Sequence, residues 1–330
     1  LYLTWEPDDH SSIRLGHLGA PVYYFSDFLN VGYAYHWVTP PEAAYPFDYT
    51  ITGIGYTYQE TLEHFDWSLE LLAGAGDEYA PNIRSRLITR NNRTAVFTLS
   101  SQGWLTFRAQ WSRFDTTLEL DDLSEANLQK ATEMATDKAL EMSGLPPSVT
   151  STFRPILIED TLNKLDAQGQ LSLKDIPVNY GEMAVRMETG RWMLMGELIG
   201  VLSDAYLSGN TITGFVTGGM RDGPYFYHLT LCNANQQPAK AVRADRYYQL
   251  PESPTLSDYS DALAAGIRSG LAGAFGRSQQ AVSVGINFNA SENTVLKFDL
   301  TRIRERATFE GDTFGVGFNT LIRTAVDVTF

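Results

Sequence analysis

The sequence predicts an all-β protein, an antiparallel up-and-down meander of the kind that can close into a transmembrane barrel. Three observations carry this. First, apolar and polar residues alternate with a period of two. The alternation is clearest in Ala281-Val282-Ser283-Val284-Gly285-Ile286-Asn287-Phe288, in Thr294-Val295-Leu296-Lys297-Phe298-Asp299-Leu300-Thr301, and in Ile322-Arg323-Thr324-Ala325-Val326-Asp327-Val328-Thr329-Phe330. Successive side chains of a strand point to opposite faces, so each run has one apolar and one polar face. Second, the connections alternate between short and long. Third, no run of eighteen apolar residues occurs, which removes an ordinary membrane helix and leaves short half-apolar strands untouched. Alternation by itself does not say what the apolar face meets. It is a core in a soluble sheet and lipid in a membrane barrel, where the polar face meets water.

In chain order the strands fall near 1–6, 11–17, 48–58, 65–75, 92–101, 103–114, 179–188, 191–204, 210–220, 223–234, 280–289, 293–303 and 320–330. Pro7 to His10 is a short connection and 18–47 a long one. The turn 59–64 is short and 76–91 long. Ser101-Gln102-Gly103 is tight and 115–178 very long. Thr189-Gly190 is tight and 205–209 modest. Arg221-Asp222-Gly223 is tight and 235–279 long. Ala290-Ser291-Glu292 is short and 304–319 longer. Short turns at one end and long loops at the other are the signature of a barrel wall, and a soluble sandwich seldom keeps that alternation through six cycles. The glycines after Gln102, Thr189 and Asp222 suit hairpin turns. Two of the long loops carry helical patterns. Leu123 to Ser143 is rich in Ala, Glu, Leu, Lys and Met, with Asp121, Asp122 and Ser124 as caps. Leu263, Ile267, Leu271 and Phe275 recur at four-residue spacing.

A chain of 330 residues suits either two soluble domains or one large barrel. The net charge of −14 argues against nucleic acid as a partner. The single cysteine, Cys232, removes any internal disulfide. Leu1 to Glu6 already reads as a strand, so no leader peptide is expected in these residues.

The chain closes on Phe330 at the end of an amphipathic strand, which resembles the assembly signal of Gram-negative outer-membrane proteins. Ser283 to Phe288 with Asn293 to Asp299 resembles the final hairpin of bacterial porins, with Asn287 where a charged or aromatic residue is common there. Asn179-Tyr180-Gly181-Glu182 with Gly190-Arg191-Trp192-Met193-Leu194-Met195-Gly196-Glu197 is similar to a porin hairpin. So is Tyr24 to Tyr35, followed by Trp37 and Pro40-Pro41. The resemblance implies one barrel domain over 1–330 in the bacterial outer membrane, acting without catalysis or cofactor as a passive pore for small hydrophilic solutes or ions. It also implies a homotrimer, recognition of the last strand by the barrel-assembly machinery, and about sixteen strands in the full-length protein. Thirteen are counted here. A barrel with both ends in the periplasm needs an even number, so at least one strand is expected to be missing at the amino terminus.

On this reading the polar faces line the lumen. They bring Asp66 and Glu70, Arg108 and Gln110, Glu182 and Arg186, and then Glu197, His228, Lys297, Asp299, Arg323 and Asp327 to the inside. Charges of both signs there would filter solutes, or would brace the wall as ion pairs. The resemblance makes 18–47, with its many aromatics, the constriction loop, with Asp27, His36 and Glu42 as its polar groups; an ordinary rim loop is the plainer reading. Loops 115–178 and 235–279 are expected on the extracellular side. The net charge hints at cation preference. Tyr56, Tyr58, Trp67, Trp104, Trp111, Trp192, Tyr225 and Tyr227 suit aromatic girdles at the lipid interfaces.

Signals of chemistry are weak. His228-Leu229-Thr230 could suggest a surface hydrolase, but a hydroxyl nucleophile needs a His oriented by a third polar group, and alternation turns this His inward. Asp166-Ala167-Gln168-Gly169-Gln170 lacks the third ligand position of a calcium loop. Asn92-Arg93-Thr94 has the form of a glycosylation acceptor, without meaning in a bacterial envelope. Two further classes compete with the pore: a non-conducting adhesive or structural barrel with a loop-plugged lumen, and a soluble β-protein. The soluble reading requires Leu105, Phe107, Ala109, Trp111, Leu194 and Leu198 to pack on a second layer.

Overall fold

A computed structural model describes the chain except residues 29–30, 46–49, 81–84, 102, 121–124, 143–145, 166–172, 204–208, 238–249, 274–276, 310–311 and 330. Phe330, the expected assembly signal, lies outside the described residues, as does the stretch 166–170.

Thirteen strands form one sheet in strict sequence order, every neighbouring pair antiparallel. They are β1 (Tyr2–Trp5), β2 (Ser11–Gly19), β3 (Thr50–Thr61), β4 (Asp66–Ala80), β5 (Ser85–Ser101), β6 (Leu105–Leu120), β7 (Ile176–Thr189), β8 (Trp192–Ser203), β9 (Thr211–Asp222), β10 (Tyr225–Gln236), β11 (Arg277–Ser291), β12 (Thr294–Phe309) and β13 (Asp312–Val328). Among the described residues the sheet is open: β1 pairs only with β2, and β13 only with β12. Every strand expected from the sequence is present.

The two faces are inverted relative to a soluble protein. On β8, Leu194 and Leu198 point outward at 51% and 56% exposure, while Glu197 between them is 3% exposed. The same alternation runs through β7, β9 and β10. Trp111 is likewise exposed, and no second layer of described residues covers these side chains. This contradicts the soluble reading. The outward apolar residues of β8 run from Trp192 to Leu202. Ten steps of about 3.3 Å at a tilt near 45° make a band roughly 23 Å tall, close to the ~25 Å of outer-membrane barrels. Trp5, Phe65, Trp67, Trp104, Trp192 and Tyr225 all flank the short turns, forming a girdle at one edge of that band. Tyr225 stacks there on Phe288, ring centres 5.1 Å apart.

The short turns are tight for a local reason. Gly190 and Gly223 adopt φ of +56° and +55°, the left-handed region that a residue with a Cβ resists. At the opposite end the strands run further than alternation alone indicates. β4 and β5 continue through most of 76–91, and β12 and β13 through most of 304–319, so neither stretch is a long loop. The ladder persists there, but both faces carry polar residues such as Arg302, Arg304, Glu305 and Arg306. A strand with polar residues on both faces has no period-two signal to read.

Between β6 and β7 stand α1 (Glu125–Met142) and α2 (Pro147–Leu165); between β10 and β11 stands α3 (Leu256–Gly273). The three helices pack on one another, and α3 touches β12. Lys164 of α2 pairs with Asp261 of α3 at 3.0 Å and donates to the Ser257 carbonyl at 2.7 Å. Thr255 caps α3: Asp258 reaches back to the Thr255 amide at 2.7 Å, a capping box. Helix α2 was not expected. Pro155 interrupts it and its first half is rich in Ser and Thr, so its buried residues Leu157, Thr161 and Leu165 stand without an amphipathic run before them.

Candidate functional site: a lumen filled by the segment after strand β2

The chain leaves β2 at Gly19 and turns inward. Two short 3₁₀ turns, Ser26–Phe28 and Gly32–Ala34, fold it back on itself. The Tyr23 amide donates to Ser26 Oγ at 2.7 Å, closing the first of them. Folding this way gathers the aromatic residues. Tyr23 lies 4.4 Å from Tyr45, Phe25 is 5.7 Å from Trp37, and Trp37 meets Phe215 of β9 edge-on at 5.2 Å. These rings form one buried cluster with Tyr180, Met193, Met195, Ile199, Phe215 and Cys232 on the inner wall. Each such side chain removed from water is worth about 1.5–3 kcal/mol, so the segment is held by its apolar surface first.

Polar wall groups then fix its backbone. Arg108 of β6 donates to the Pro21 carbonyl at 2.6 Å, to Glu182 of β7 at 2.7 Å and to Gln110 at 2.9 Å. Glu197 of β8 accepts from the Tyr24 amide at 3.1 Å and from the Tyr45 hydroxyl. Tyr180 donates to the Val22 carbonyl. Trp37 Nε1 donates to Thr230 of β10 at 2.8 Å. Thr213 of β9 donates to the Ala43 carbonyl at 3.0 Å. Asp299 of β12 accepts from the Val38 amide at 2.7 Å. Lys297 donates to the carbonyls of Gly32, Tyr35 and Trp37 at 2.5, 2.6 and 3.1 Å and pairs with Asp327 of β13 at 2.9 Å.

Of the strand residues expected on the inside, Arg108, Gln110, Glu182, Glu197, His228, Lys297 and Asp299 are buried on one face of the sheet, and the cross-strand register shows how they line up. His228, Gly285, Asp299 and Arg323 lie opposite one another across β10 to β13, and Gln110, Glu182 and Ile199 across β6 to β8. His228 Nε2 and Asp299 Oδ1 face each other over Gly285 at 3.2 Å, but not aligned as a hydrogen bond. Glu70 pairs with Arg14 of β2 across β3. Arg186 pairs with Glu188 on its own strand. Asp66 shares the face of Glu70 but sits exposed at the short-turn end.

The polar groups expected in the constriction separate. His36 packs on Trp37 with ring centres 3.8 Å apart and faces His228 at 4.9 Å. Glu42 pairs with Arg323 and stays largely exposed. Asp27 belongs to the first 3₁₀ turn, and its side chain lies outside the described atoms. Sequence reasoning missed Tyr45 and Tyr180 as anchors. It also missed the backbone carbonyls that Lys297 and Arg108 bind, because a carbonyl leaves no trace in residue type.

Thr230, considered above as a nucleophile beside His228, bonds Trp37 and lies 2.8 Å from Thr217. Both His228 and Thr230 are buried inside the sheet and do not stand on its outer wall. Among the described residues no three His, Cys, Asp or Glu side chains gather at metal-binding distance. No described helix is long and apolar enough to cross a membrane, which says nothing of strands.

No protein-family model matches the sequence, and no curated protein matches it either. Among solved structures the chain is similar to a loop L8 deletion mutant of OmpT, an outer membrane protein of Vibrio cholerae, with 8% identity and a TM-score of 0.49 over 99% of this chain and 78% of that one. It is also similar to OprB of Pseudomonas putida, with 10% identity and a TM-score of 0.47 over 100% and 72%. A third is OprD of Pseudomonas aeruginosa, with 8% identity and a TM-score of 0.34 over 97% and 75%. Values this low leave function to be argued from the chain itself.

Proposed function

We propose that this chain is the wall and inner segment of an outer-membrane porin-type barrel, through which small hydrophilic solutes or ions diffuse past a seated loop. The observation that carries the reading is the inversion of the sheet. Apolar residues are bare on the outside, and charged residues surround a folded segment on the inside. Lipid is the environment that makes such a surface stable. A closed barrel of about sixteen strands is the architecture this reading requires. Acids and bases of the lumen are largely paired with each other, so the net charge of −14 should act weakly on permeating ions. No reaction is assigned to it.

A second reading has its own support. From β6 to β12 the inner wall is buried: Gln110 is 7% exposed, Glu182 2%, Thr217 0% and Asp299 2%. A wall so covered also fits a barrel plugged by its own loop, serving as a surface scaffold. Single-channel recording in a planar bilayer, with a salt gradient, separates the two. Small ohmic steps with a reversal potential only slightly displaced toward cations support the diffusion channel. Inserted, heat-modifiable protein that passes no current removes it in favour of the plugged barrel.

A further inference from the structure

The interior spaces left beside the seated segment differ in chemistry. On the short-turn side lies a cavity of about 180 Å³ bordered by Arg186, Arg221, Lys297 and Glu188. On the long-loop side lies one of about 260 Å³, between the segment and the wall from β5 to β9. No charged side chain of the described residues borders this second space. Most of its apolar lining stands on the segment and on β7 and β8: Val22, Ala44, Val178, Ile199 and Val201. The adjoining wall, on β5 and β6, is neutral and mostly polar, with Leu87 and Phe114 among its residues.

That polar wall is ordered. Arg108 donates to Gln110 Oε1 at 2.9 Å, Gln110 Nε2 donates to Ser112 Oγ at 3.1 Å, Ser112 Oγ lies 2.8 Å from Thr94 Oγ1, and Thr94 donates to Asn92 Oδ1 at 2.9 Å. The chain of hydrogen bonds starts at the buried Arg108–Glu182 ion pair, in which Arg108 bonds Glu182 Oε2 while Oε1 is left without a hydrogen-bond partner. Thr116 Oγ1, at the upper end of the same wall, is buried without a hydrogen-bond partner. A pocket with an apolar part and a fixed row of neutral donors and acceptors beside it is complementary to an amphipathic, uncharged molecule.

Resting on the channel reading above, we propose that this cavity is a binding site for a small uncharged amphiphile, a flat apolar body with one hydroxyl or amide edge, on its way through the barrel. Size agrees: an apolar cavity of about 150 Å³ accommodates benzene, so this one accommodates a substituted ring. Charge excludes the alternative: a carboxylate or ammonium entering here would lose its water with no opposite charge among the lining groups.

The test uses the full chain in detergent micelles, with benzyl alcohol and benzoate as matched probes, by titration calorimetry against protein-free micelles. Saturable binding of benzyl alcohol is expected, with benzoate weaker by about tenfold or more. Val201→Phe, which fills the apolar side, should weaken benzyl alcohol by about tenfold while leaving heat-modifiable mobility intact. Ser112→Val, which cuts the hydrogen-bond chain, should weaken it less. Benzoate binding as tightly as the alcohol overturns the proposal, and so does a folded Val201→Phe variant with unchanged affinity. Should that variant fail to fold, the comparison of the two probes on the unaltered protein decides alone. Current without alcohol binding overturns this site and leaves the channel; alcohol binding without current keeps the site and removes the channel.

Discussion

At Gly285 the absence of a side chain lets two others meet. A Cβ there would overlap His228 Nε2 and Asp299 Oδ1, which face each other across this strand. Gly285→Val should therefore push the pair apart and destabilise the barrel by about 1–3 kcal/mol, read from urea unfolding in lipid vesicles. Glu197 is the matching test of the inner segment. It accepts from the Tyr24 amide and the Tyr45 hydroxyl, and a buried hydrogen bond of this kind contributes about 0.5–1.5 kcal/mol. Glu197→Ala should loosen the segment between Pro21 and Tyr45, raising single-channel conductance and opening that stretch to protease. Unchanged conductance and unchanged cleavage would show that the aromatic cluster alone holds it. At this scale the inward positions were legible, because parity along a strand fixes the face. Their partners were not. Lys297 binds three carbonyls that are 260 or more residues away in the chain, and no side-chain pattern announces them.

Among the elements, all thirteen strands were legible because each is apolar on one side only. Two features were not. The strand extensions at the long-loop end lose the alternation once polar residues stand on both faces, as at Arg304 to Arg306. Helix α2 hides behind Pro155 and a Ser/Thr-rich first half, and its burial comes from α1 and α3 rather than from its own pattern. The helices carry a prediction of their own. Arg154 of α2 grips Asp137 of α1 through two hydrogen bonds, at 2.6 and 3.0 Å, and these bonds hold the Asp137 carboxyl below its ordinary value of 3.8. A carboxylate whose pKa is lowered on folding stabilises the fold above the unfolded value, and the contribution is lost as the pH falls through the folded one. The α1–α2 hairpin should therefore loosen as the pH is taken from about 5 to about 2, seen as faster amide exchange over 125–142. Arg154→Gln should abolish that pH dependence. If exchange in the unaltered protein is flat over the same range, the pair does not hold the hairpin.

For the whole molecule, the antiparallel order of the strands, the short turns at one end and the two unlike faces of the sheet were readable from the sequence. Closure was not, since alternation says which face a residue takes and nothing about which edge meets which. What surrounds the sheet is a question of depth. Leu198 lies near the middle of the exposed apolar band on β8, and Leu202 lies at its long-loop edge. In a bilayer an Arg at mid-depth costs about 2–4 kcal/mol, and one near the interface about 0–1. Leu198→Arg should therefore unfold from lipid vesicles at clearly lower urea than Leu202→Arg, although the two side chains are exposed to nearly the same extent, 56% and 51%. Water treats both positions alike, so a soluble or merely surface-bound sheet predicts two small and similar losses. A steep difference would place lipid against this face at the depth that the band defines. Two equal losses would remove the bilayer from the account, and the channel with it.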